Sequence, residues 1–177
     1  LIAGLAAVAV VYVVWPPNYV AESSIYIKAT PPTLLGNLSS GTEDFATYKK
    51  SEMYRAISRM VLDTALNENV KNRALQKIGY RSISDLPLVK AQPDLMQIDW
   101  LLSKLSAAGK KEEFFSIKME HSESPAELAE IVNAVTKVYL RDIANEDKAM
   151  QRQRIAQLKQ LNIDQEKNVK DLRQDIK

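Results

Sequence analysis

Histidine occurs once in the 177 residues, at His121, and cysteine does not occur at all. A base-activated nucleophile would therefore have to use His121, which ends a strand-like stretch between Glu120 and Glu123. That setting reads as an exposed, lightly paired side chain. One imidazole without thiolates falls short of a structural or catalytic zinc set. No Gly-rich phosphate loop follows a strand, and no Gly-x-Ser-x-Gly turn is present. The 22 Asp and Glu are dispersed on helical sequence among 24 Lys and Arg, the pattern of solvated faces and not of a paired acid and base. No catalytic residue, metal ligand or cofactor-binding residue is expected, and the apolar stripes read as core instead of a cofactor slot. The chemistry-bearing residues thus point away from an enzyme site in this segment.

Composition narrows the class further. The formal charge is only +2 because opposite charges are interspersed, so the basic stripe of a nucleic-acid binder is absent. The length suits one compact domain with an appendage. Lack of cysteine excludes disulfides but leaves an oxidising compartment open.

The elements that would position any site begin with residues 1–15, which carry no charge. At about 1.5 Å per residue they reach about 22 Å, short of the roughly 30 Å hydrocarbon core. With Leu at position 1, the expectation is a transmembrane helix cut at its start, over 1–17. Leu5, Val8, Val11, Val14 and Trp15 are its anchor residues, with Trp15 and Tyr19 at the headgroup layer. The alternative, a signal-peptide apolar region, lacks a convincing small-x-small site before Tyr19.

From Val20 onward the sequence alternates, placing Ser23, Ile25, Ile27 and Ala29 on one face and Glu22, Ser24, Tyr26 and Lys28 on the other. After Pro31-Pro32 and a polar loop, Thr42 reads as an N-cap with Glu43 and Asp44 behind it. Phe45, Tyr48, Met53, Ile57, Met60, Val61 and Ala65 then predict an amphipathic helix over about 43–67. A short helix over 70–78 ends at Gly79. Residues 80–93 read as connector, and Leu95, Ile98, Leu101, Leu102 and Leu105 as another short helix. Gly109-Lys110-Lys111 is expected to turn the chain into a second alternating strand holding Phe115, Ile117 and Met119. Two such strands, separated mostly by helices, imply one small sheet with helices on one face, an α+β fold.

The last segment opens with Ser124-Pro125-Ala126-Glu127, a capping box with Ser124 at N-cap, Pro125 at the first helical position and Glu127 three residues on. No Gly and no further Pro follow, so a helix running to Lys177 would extend about 80 Å. Leu128, Ile131, Val132, Val135, Val138, Tyr139 and Ile143 can pack on the sheet. Beyond Arg141 the stripe thins to a sparse heptad of Ile155, Leu158, Val169, Leu172 and Ile176, with Asn162 and Gln165 between. The expected organisation is 1–17 membrane helix, 18–143 α+β domain, and 144–177 the ascending arm of a projecting, coiled-coil-like helix.

In this order the chain resembles the chain-length determinant family, the Wzz-type polysaccharide co-polymerases and their tyrosine-autokinase relatives. The resemblance rests on Tyr19-Val20-Ala21-Glu22-Ser23-Ser24-Ile25-Tyr26-Ile27, on Tyr48-Lys49-Lys50-Ser51-Glu52-Met53-Tyr54-Arg55-Ala56-Ile57, and on Ser124-Pro125-Ala126-Glu127-Leu128-Ala129-Glu130-Ile131-Val132-Asn133-Ala134-Val135 with Tyr139-Leu140. It implies a homo-oligomer of the bacterial inner membrane with its domain in the periplasm. Such a protein controls glycan chain length beside a polysaccharide polymerase and, in some systems, an outer-membrane exporter. A return helix, and in one branch a cytoplasmic kinase domain, would lie beyond Lys177. Competing readings are the adaptor of a tripartite secretion or efflux system, which would carry Gly-rich lipoyl-like half-motifs absent before the long helix, and the sensor region of a membrane receptor.

Overall fold

The computed structural model of the chain describes residues 18–27, 45–111 and 113–175. Strand β1 spans Tyr19–Tyr26. Helices α1 (Phe45–Ala56), α2 (Arg59–Leu66) and α3 (Arg73–Ile78) follow, and then α4 (Pro87–Lys90) and α5 (Gln97–Lys104). Strands β2 (Leu105–Lys111) and β3 (Phe114–His121) form a hairpin that leads into α6, Pro125–Asp175.

The sheet has the order β1-β3-β2, with both pairings antiparallel. In its register Ile25 faces Phe115, Ser23 faces Ile117 and Leu105 faces Met119, so these side chains line one face. Phe115, Ile117 and Met119 are fully buried there. The opposite face carries Glu22, Ser24 and Tyr26 beside Lys118, Ser116 and Phe114. β1 and β3 thus share one sheet as their alternation implied, across more than 80 intervening residues. The third strand, β2, occupies the stretch expected to end a helix and turn. Leu105-Ser106-Ala107-Ala108-Gly109-Lys110-Lys111 has no β-branched or aromatic residue, so its strand character comes from pairing with β3 and not from propensity. A register shift between Gly109 and Lys111 precedes the turn.

The helix expected over 43–67 is two helices. The chain leaves helical geometry before Ser58, whose extended backbone (φ −69°, ψ 154°) and side chain cap α2. This break resets the helical phase. Val61, Leu62, Ala65 and Leu66 become buried, while Met60, expected on the core stripe, is 63% exposed. Thr42, Glu43 and Asp44 lie outside the described residues. Asn72 caps α3 through Oδ1, which accepts from the Ala74 N–H at 2.9 Å. Gly79 ends that helix at φ 107°, a left-handed conformation that costs Gly little. The connector 80–93 contains the short α4. In the expected 95–105 helix, Leu95 precedes α5 in a 3-10 turn and is exposed.

The chain divides into two compact units between Tyr139 and Leu140. In the first, Leu128, Ile131, Val132, Val135, Val138 and Tyr139 are buried, as the stripe implied. The second, Leu140–Lys177, is described by helix α6 alone. The expected transmembrane helix beside the sheet requires correction, since among the described residues no helix is long and apolar enough to cross a membrane. The reason is composition. α6 is the one described helix of sufficient length, and 125–142 already holds Glu127, Glu130, Lys137, Arg141 and Asp142. Leu5, Val8, Val11, Val14 and Trp15 lie outside the described residues.

Candidate functional site

The polar side chains that converge in the first unit form a socket around the first four turns of α6. Glu127 is 5% exposed, and its Oε2 accepts the Leu88 N–H at 3.0 Å. Leu88 is the second residue of α4, where an N–H has no partner within the helix. The carboxylate that the spacing assigned to its own helix start therefore closes the start of another. Ser124 precedes α6 at φ 48°, and its carbonyl accepts from the Glu127 and Leu128 N–H groups at 3.0 and 3.2 Å. Pro125 occupies the first helical position.

One turn on, Glu130 Oε2 accepts the Lys71 N–H at 3.2 Å. Lys137 forms an ion pair with Glu68, which lies between α2 and α3. At the inner end of the socket the Tyr139 hydroxyl donates to Glu52 Oε2 on α1 at 2.7 Å. Tyr139 is fully buried and Glu52 is 8% exposed. The Tyr139 ring also packs edge-on against Phe115 of β3, with centroids 5.7 Å apart. Burial pushes the phenol far above its usual range, and the facing Glu52 carboxylate pushes it further. Four residues of one helix are thus tied to α1, α4 and the chain around α2 and α3. The two buried contacts, Glu127 with the Leu88 N–H and Tyr139 with Glu52, satisfy groups that would otherwise lose water without compensation, while the Glu130 and Lys137 contacts lie at the solvent-exposed edge.

Sequence reading placed Tyr139 in the core stripe but passed over Glu52. A signal existed, since Tyr48, Glu52 and Ala56 stand four residues apart on one line of α1 and Ala56 is fully buried.

The other face of the sheet is charged and partly aromatic. Glu22 Oε1 is 2.6 Å from Lys110 Nζ and Oε2 is 3.6 Å from Lys118 Nζ. The Lys110 hydrogen bond holds the Glu22 carboxyl below its ordinary range. Tyr26 and Phe114 stack in a tilted pair at 5.3 Å. His121 sits at the end of β3, where its Nδ1 accepts the Glu123 N–H at 3.2 Å and its ring meets the edge of Trp100 at 6.5 Å. It borders a cleft of about 560 Å³.

In the second unit, Ile155, Leu158, Leu161 and Ile163 are each more than half exposed. Asn162 and Gln160 make hydrogen bonds within the helix, to Glu166 at 3.5 Å and to Asp164 at 3.1 Å.

Among the described residues no group of three or more His, Cys, Asp or Glu is placed to hold a metal ion. The arrangement ties down the root of a helix and presents aliphatic side chains further along it. Neither protein-family models nor curated proteins gave a match to the chain.

Proposed function

We propose that this chain is the scaffold segment of a polysaccharide co-polymerase that works at the bacterial inner membrane, with its α+β domain in the periplasm. It controls the chain length or export of a surface polysaccharide or exopolysaccharide by assembling into a homo-oligomer. Its partners are further copies of itself, a polysaccharide polymerase, the growing glycan and, in some systems, an outer-membrane exporter. The segment needs no catalytic residue for this role, because it organises a polymerisation that another protein catalyses.

The observation that carries the reading is the 51-residue helix with Ile155, Leu158, Leu161 and Ile163 more than half exposed. Fully burying such a side chain is worth about 1.5–3 kcal/mol, so covering what is exposed on one copy gains roughly 1 kcal/mol per residue. That sum is modest against the cost of association. Polar Asn162 and Gln165 interrupt the heptad as well. Such a seam favours assemblies in which many weak contacts add up, as in an oligomer whose subunits are held together elsewhere too.

Deleting the gene and separating the cell's surface polysaccharide on a gel tests the proposal. A changed length distribution or amount is expected, and an unchanged one overturns the reading.

A further inference from the structure

We infer that the cleft at the His121 end of the sheet binds a short stretch of sugar residues. Three parts of the fold meet there. Asn18 enters β1, Lys104 and Ser106 flank the junction of α5 and β2, and Glu120, His121 and Ser122 close β3. The volume of about 560 Å³ lies within the roughly 300–1,000 Å³ usual for small-molecule sites.

The donor and acceptor set selects the ligand class. His121 Nδ1 accepts the Glu123 N–H, so the neutral ring carries its proton on Nε2 and offers a donor there. Lys104 adds donors, Glu120 adds acceptors, and Asn18, Ser106 and Ser122 each supply both. None of the side chains of Asn18, Lys104, Ser106, Glu120 and Ser122 has a hydrogen-bond partner among the described residues, whereas Ser103, which also lines the cleft, has its hydroxyl committed to the Trp100 carbonyl at 2.7 Å. A sugar ring presents hydroxyls that donate and accept at once, and it matches such a mixture. A phosphate, inorganic or lipid, brings negative charge that the Glu120 carboxylate would oppose. A cation would find one carboxylate and one imidazole, too few ligands for a hard or borderline metal.

The sugar's identity rests on the polysaccharide reading above, while the site itself rests on the cleft's own groups. Equilibrium dialysis of the 177-residue chain against end-labelled oligosaccharides, cut from the host's own surface polysaccharide, tests it. A parallel arm uses inorganic phosphate. Saturable oligosaccharide binding is expected. Lys104→Ala and Glu120→Ala should each weaken it about fivefold, the effect of losing one hydrogen bond of about 1 kcal/mol. Both side chains are exposed, so the urea midpoint should not move. Absence of saturable binding, wild-type binding by both variants, or displacement by phosphate overturns the inference. A deletion strain with altered glycan length but no oligosaccharide binding would sink the cleft alone. Unaltered length with binding lost in the variants would sink the co-polymerase reading and leave a sugar site.

Discussion

Replacing Tyr139 with Phe should remove one hydrogen bond and almost nothing else. The ring keeps its edge-on contact with Phe115 at 5.7 Å, and the cavity opened by one oxygen is small. What is lost is the 2.7 Å donation to Glu52 Oε2, which leaves an acceptor on a carboxylate only 8% exposed. A hydrogen bond to a charged group is worth about 1.5–3 kcal/mol. At a slope of about 2 kcal/mol per molar urea, the midpoint should fall by about 1 M. Glu52→Gln keeps an acceptor for the phenol and should cost less, about 1 kcal/mol. Glu52→Leu combined with Tyr139→Phe closes a double-mutant cycle, and a coupling above about 1 kcal/mol is expected for groups in direct contact. The pH dependence supplies a second readout. The folded-state phenol is raised above its ordinary value of 10.0, so the native state holds this proton where the unfolded chain releases it. Its contribution is complete below pH 10 and is lost as pH rises beyond it. Wild type should therefore lose stability more steeply than Tyr139→Phe above pH 10. A variant with an unshifted urea midpoint and an unchanged alkaline slope would refute the buried pair.

Four further outcomes follow from named contacts. Glu127→Ala strands the Leu88 N–H in a buried position and should destabilise by about 1.5–3 kcal/mol in urea titration, with Glu127→Gln recovering most of it. Leu62→Ala, at a fully buried site on α2, should cost about 2–5 kcal/mol on the same assay. Asp85 Oδ2 accepts the Ser82 N–H at 3.0 Å, and this bond chiefly lowers the Asp85 pKa from 3.8. Its stabilisation is present above that value and is lost as pH falls further, so Asp85→Asn should flatten the acid limb of the stability curve. Ile155→Asp with Leu158→Asp should shift the chain to smaller species in sedimentation velocity without changing its helical circular dichroism, because both side chains are exposed in the single chain.

The elements that announced themselves in the sequence were those whose period matched a single burial face. Ile25 and Ile27, and Phe115, Ile117 and Met119, alternate cleanly because one side of the sheet is apolar core and the other is polar, even where it is covered, as at the buried Ser116. The stripe of α6 through Tyr139 was readable for the analogous helical reason. β2 was not, because its small residues gain strand geometry only from β3. The break at Ser58 was hidden because Met53, Ile57 and Val61 keep a helical rhythm across it, and only the cap interrupts the backbone. The socket was half legible. Ser124, Pro125 and Glu127 mark a helix start in any fold, but the Glu127 carboxylate is claimed by Leu88, 39 residues away in the chain. Distant partners of that kind leave no trace in spacing. Glu52 was missed because a lone carboxylate on a charged helix ordinarily faces water.

The most direct measurement is a gel of surface polysaccharide from three strains, carrying the wild-type gene, a deletion, or the Ile155→Asp, Leu158→Asp pair as the sole copy. If the chain sets glycan length by self-assembly, the deletion changes the length distribution and the paired variant follows it while the protein still accumulates. An unchanged distribution in the deletion strain contradicts the function, and a wild-type distribution in the variant strain contradicts assembly through the long helix.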